Sequence, residues 1–194
     1  VKKVIGLFVG IILLHFLASG CAYNVAFKTP DAYHYEATIP LKAGFSMDKR
    51  LKDRVYSGRA FSSGIANRWD VPVGDIVHSY AIAYLKNGFA GFGEIATVAD
   101  KSTYDVVIKI NDITYFMEGQ AAHCDLNFVV ENATGKQVFS KKYHVDGPSG
   151  YGRVIAAGAF AQKSAIRQST HVVLENIFTD FMSDVHTSFT NWGK

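Results

Sequence analysis

Between Tyr104 and Val145 apolar and polar residues alternate in three successive runs, and this period-two pattern limits the fold more than any other feature of the chain. In Tyr104–Met117, Val106, Ile108 and Ile110 share one face while Asp105, Lys109 and Asn111 share the other. In His123–Val130, Cys124, Leu126, Phe128 and Val130 point one way and His123, Asp125 and Asn127 the other, because successive side chains of a strand leave opposite faces. Glu131–Lys136 supplies a tight connection with Gly135 where a positive φ is needed, and Val138–Val145 returns as a third strand. Three strands joined by short loops predict an antiparallel meander with one wet face.

Two helical patterns are available to cover the other face. Val73, Val77, Tyr80 and Tyr84 recur at helical spacing behind Asp70-Val71-Pro72, with Asp70 as the expected N-cap and Asn87-Gly88 as the stop. Ile166, Val173, Ile177, Phe181 and Val185, widened by Leu174 and Phe178, form the stripe of a second helix that starts at about Arg153 or Gln162 and ends near His186. The small residues Ala156–Ala159 suit close packing and a mobile loop equally. Ile39, Leu41, Ala43 and Phe45 alternate in an earlier strand, which Pro40 assigns to a sheet edge or a late start. Ile95 and Val98 mark a weaker strand within Phe92–Val98, and residues 46–69 read as a polar connector with Lys49, Arg50, Lys52 and Arg54 solvated. The economical arrangement is an α+β two-layer sandwich, a mixed or antiparallel sheet containing the meander and covered by two helices. Residues 39–187 form this single domain, 21–38 a tether before it, and 188–194 a fraying tail.

Composition removes several classes. Hydrophobic residues make up 48% and charged residues only 19%, enough apolar surface to offset the ordering entropy that keeps polar chains disordered. A net charge of +3 makes no basic stripe for nucleic acid, and two cysteines make no disulfide scaffold. The first twenty residues set the address. Lys2 and Lys3 precede the largely apolar run Val4–Ala18, whose helix would reach roughly 22 Å against a hydrocarbon core of ~30 Å, so a secretory signal fits better than a permanent span. Without these residues the balance falls to 18 bases against 17 acids, since two of the 20 Lys+Arg and none of the 17 Asp+Glu go with them.

The end of that segment, Leu17-Ala18-Ser19-Gly20-Cys21, resembles the bacterial lipobox, which implies acylation at Cys21 and an anchor of several acyl chains in the membrane. Ala22, where an Asp would imply inner-membrane retention, implies the outer membrane, facing the periplasm. Together with the Tyr104–Ile113 strand, the hairpin of Asn132, Thr134, Gly135, Lys136 and Val138, and the final amphipathic helix, this resembles small Gram-negative outer-membrane lipoproteins. They include the YajG-like group and the auxiliary lipoproteins of ABC-type lipid transport systems. The resemblance covers roughly residues 70–186 and implies a non-enzymatic accessory component of an envelope assembly or transport system with an envelope protein as partner. The alternative is a module binding lipid or cell-wall fragments in the groove between the helices and the sheet, walled by aromatics such as Tyr80, Tyr84 and Phe178.

No constellation carries chemistry. His123, Asp125 and His144 sit on the polar side of neighbouring strands, but a metal site needs three or four converging ligands and no HxH or HExxH spacing occurs, so solvent-facing sheet polarity is the reading and no metal or cofactor is expected. Cys124 falls on the apolar side as an inert buried thiol. The turn Ser62-Ser63-Gly64 lacks a nucleophile elbow, and the Gly88–Gly93 and Gly147–Gly152 strings lack the spacing of phosphate loops and read as turns. Asp180 and Asp184 lie one helical turn apart on a solvated face. No catalytic residue is assigned. Phe89, Phe92, Tyr115 and Phe116, which neighbour glycines, are either a contact patch for a partner or ligand or plugs of the core.

Overall fold

The computed structural model describes residues 22–58, 68–95, 103–149 and 151–192, with side chains omitted over 151–161. Its strands are β1 (Ala22–Asn24), β2 (Ile39–Met47), β3 (Tyr56–Gly58), β4 (Arg68–Val71), β5 (Phe89–Glu94), β6 (Val106–Glu118), β7 (Ala121–Asn132) and β8 (Gln137–Asp146). The helices are α1 (Lys49–Lys52), α2 (Val73–Leu85) and α3 (Tyr151–Ser188), followed by a 3-10 turn at Phe189–Asn191. Five strands form a mixed sheet in the order β5-β2-β6-β7-β8, and three short ones a second sheet, β1-β4-β3. The α+β sandwich expected from the sequence is the architecture observed.

The meander is β6, β7 and β8, antiparallel throughout. Its alternation carries one phase change. A bulge between Ile110 and Asp112 shifts the register, so the inward set passes from Val106, Ile108 and Ile110 to Ile113, Tyr115 and Met117. The hairpin to β8 turns at Gly135, with φ +81°, while Asn132 Oδ1 accepts from the amides of Thr134 (3.1 Å) and Lys136 (3.0 Å).

Helix α3 lies across β7 and β8, and α2 packs beside it. Their shared core is aromatic. Phe181 stacks on Phe128 of β7 with centroids 4.1 Å apart, and Phe178 meets Phe128 edge-on and leans on Tyr80 and Tyr84 of α2. Burying each such ring contributes about 1.5–3 kcal/mol, which accounts for the persistence of the stripe along α3. Its backbone helix begins at Tyr151, before both sequence estimates.

Several boundaries differ from the sequence reading. Pro40 does not put β2 on an edge, because β2 lies between β5 and β6 and runs parallel to both. The strand tolerates it because the β5 register shifts between Ile39 and Lys42 and the β6 ladder starts only at Ala43, so no bond needs the missing N–H. Asp70 is not a helix cap. It belongs to β4, where its carbonyl accepts from Val25 N at 2.9 Å, and α2 starts at Val73 after Pro72 with no side-chain cap. The first turn is satisfied instead by Arg54, whose carbonyl takes the Gly74 amide at 2.9 Å. A side chain at Gly74 would meet Leu51 O at 2.0 Å, so this residue lets two backbones touch.

The connector 46–69 holds α1, β3 and the start of β4; Lys49 and Arg50 stay exposed beside Asp53 and Asp48, as expected, while Arg54 donates to Ile113 O. The weak strand lies earlier, at Phe89–Glu94, so the Gly88–Gly93 string is mostly strand and not a turn. The expected tail does not fray at Trp192, which is 3% exposed and faces Phe139. The turn at Ser62-Ser63-Gly64 and residue Val98 lie outside the described residues.

Candidate functional site

The segment expected to be a tether is folded against the domain. β1 runs parallel to β4, Val25 is buried, and Phe27 and Tyr35 pack against the core. The strap is pinned again at Tyr33, whose amide donates to Ala83 O at 2.9 Å and whose carbonyl accepts from Asn87 Nδ2 at 3.0 Å. Its ring stacks on Tyr84 with centroids 4.9 Å apart. The sequence reading missed this because strap and partners are far apart in the chain and the strap has no period of its own.

Between the pinned points, residues 26–34 bridge the two helices and leave a groove of about 750 Å³. The strap gives one wall with Phe27, Pro30 and Tyr33, and α3 gives the other with Arg167, His171 and Glu175. Tyr80 and Tyr84 of α2 form the floor. The Tyr80 hydroxyl is hydrogen-bonded to His171 Nδ1, and His171 Nε2 stands 3.6 Å from Glu175 Oε2. Burial, reinforced by Tyr84 and Glu175 nearby, raises the Tyr80 hydroxyl above the ordinary phenol range, so it stays protonated. The sequence reading puts a groove between the helices and the sheet; this one lies between the strap and the helices, and of the expected walls it holds Tyr80 and Tyr84. Phe178 is fully buried behind them.

The four aromatic candidates do not share a patch. Phe89 opens β5 and is 4% exposed, and Tyr115, on the inward side after the bulge, is 7% exposed with its hydroxyl 2.7 Å from Thr170 Oγ1. Both are core residues, as is much of Phe92, which packs against the same cluster. Phe116 alone is exposed, and it lies flat on His123 with centroids 4.6 Å apart.

On the outer face of the meander, His123, Asp146, His144 and Asp125 form a chain. His123 Nδ1 is 2.5 Å from Asp146 Oδ1, His144 Nε2 is 3.2 Å from that same oxygen, and His144 Nδ1 is 2.5 Å from Asp125 Oδ1. The hydrogen bond to Asp125 raises His144. Burial pushes Asp125 upward, but the bonds from Lys142 and His144 outweigh it and hold the carboxyl below its usual range. The nitrogens thus face carboxylates in a line and do not converge on a point. Among the described residues no group of three or more His, Cys, Asp or Glu is placed to hold a metal. Cys124 is 1% exposed, and burial pushes its thiol up to about 12. Asp184 is not merely solvated, since Tyr143 and Lys141 both donate to its Oδ2, at 2.5 and 2.6 Å, and tie α3 to β8. Cys21 lies outside the described residues.

No protein-family model matches the chain, and no curated protein is similar to it. A solved structure of an uncharacterized protein is 12% identical, with 84% of this chain and 99% of that chain covered at a TM-score of 0.43, too weak a likeness to inform function.

Proposed function

We propose that the chain is an outer-membrane lipoprotein, held by acyl chains on Cys21 and facing the periplasm, that works by binding and not by chemistry. In this reading it is an accessory component of an envelope assembly or transport system, of the YajG-like or ABC-transport auxiliary kind, with an envelope protein as partner. The observation that carries it is the pairing of β1 with β4, which starts at Ala22, directly after the lipidated residue. An anchor joined to the fold without slack holds one face of the domain towards the bilayer, as suits a component that presents a fixed surface. A second reading, a binding module for lipid or cell-wall fragments, is favoured by the groove under the strap. Ala26 is five residues from Cys21, a reach of at most roughly 17 Å, so that groove would open near the membrane.

Expression of Cys21→Ala in a Gram-negative host, followed by fractionation, tests the anchor. The variant should leave the membrane fraction for the soluble periplasm or accumulate unprocessed. Retention on membranes after correct signal removal would contradict attachment through Cys21.

A further inference from the structure

We infer that the groove between the strap, α2 and α3 is a binding site for a neutral glycan built of pyranose rings; the inference rests on the binding-module reading above. Three observations carry it. The volume, about 750 Å³, lies within the range of roughly 300–1,000 Å³ typical of ligand sites and leaves room for more than one sugar ring. The lining mixes two kinds of surface. Phe27, Pro30 and Tyr33 offer apolar carbon between Lys28 and Asp31 on the strap, and Arg167, His171 and Glu175 offer donors and an acceptor on the facing helix. A pyranose has the same mixture, with a C–H face that packs on aromatic carbon and a rim of hydroxyls that both donate and accept.

The charges are also balanced. Lys28 and Arg167 are offset by Asp31 and Glu175 around the same groove. An anionic headgroup would gain from the two cations and lose to the two carboxylates. An acyl chain would strip water from Arg167 and Glu175 and give them no partner. A neutral polyhydroxyl ligand incurs neither cost. The hydrogen bonds at Val25 and Tyr33 hold the strap in place before a ligand arrives, so little ordering opposes binding.

The test titrates the full lipidated chain in nanodiscs with tetra- to hexasaccharides of β-1,4-linked N-acetylglucosamine, followed by calorimetry. Saturable binding is expected. Arg167→Ala and Glu175→Gln should each weaken it about tenfold, while Lys142→Ala on the opposite sheet face should leave it unchanged. Arg167, Glu175 and Lys142 are all exposed, and a thermal melt of each variant confirms that it folds. Saturable binding of dodecanoate with none of the oligosaccharide would overturn the glycan assignment but keep a binding module. Binding of neither would overturn both, while attachment to the membrane is judged separately by the Cys21→Ala fractionation.

Discussion

The meander β6–β7–β8 and the small sheet β1-β4-β3 hold their strands by different means. In the meander, each strand pairs with its neighbour in sequence over nine or more positions, and alternate residues enter a core that α3 closes. In the small sheet the strands have three or four residues, and Ala22 pairs with Arg68 across a long stretch of chain. It meets the main domain through the backbone approach at Gly74, the Tyr56 ring edge-on to Tyr115, the Arg54 guanidinium that donates to Ile113 O, and the buried Trp69 and Val71. One region is stabilised by repeated local burial, the other by a few non-local joints. The candidate groove lies where the second region meets the helices of the first.

The sharpest way to break the comparison is at the shared core. Phe181→Ala removes a fully buried ring from the stack on Phe128 and should cost about 3–5 kcal/mol in urea denaturation, with both regions unfolding together. A loss under 1 kcal/mol would mean that α3 does not close the meander. Gly74→Ala probes the joint. A Cβ there meets Leu51 O at 2.0 Å and Lys52 O at 2.3 Å, so the substitution should cost about 1–3 kcal/mol. Amide exchange should quicken at α1, β3 and β4 and stay slow in β6 and β7; equal loss in the meander would erase the distinction between the regions.

The smallest effect belongs to the outer face of the meander. His144 is raised from 6.5, so its contribution is complete below pH 6.5 and fades as pH climbs through the raised value. Asp125 and Asp146 are lowered from 3.8, so theirs is present above that pH and fades on acidification. Lys142 and Glu118 also face this network. The side chains of His144 and Asp146 are more than half exposed, so solvent screens most of this network. The melting temperature should fall by about 1–2 °C more in the native chain than in His144→Ala between pH 6 and pH 8.5. Identical slopes would show that the network carries no stability.

What could be read from the sequence follows the same division. Val106, Leu126 and Phe128 announce themselves through a period shared with near neighbours, and Ile166 to Val185 through a helical one. Asp70 looked like a cap because its neighbours in sequence suggest a helix start, but β1 and β3 claim it for a strand. Phe89 and Tyr115 stood open between a contact patch and the core because they neighbour glycines, and strand pairing decides for the core. Of the groove, Tyr80 and Tyr84 were legible from α2, whereas Tyr33, Arg167 and Glu175 gain meaning only when three distant segments meet.

The central structural claim is that the chain after Cys21 is folded onto the domain and walls a groove. Residue-resolved amide exchange over residues 22–39 tests it most directly. If the strap is in place, the Val25, Tyr33 and Ile39 amides, which donate to Asp70, Ala83 and Gly88, exchange slowly while their exposed neighbours exchange fast. Uniformly fast exchange up to Ile39 would contradict the claim, restore a free tether, and remove one wall of the groove.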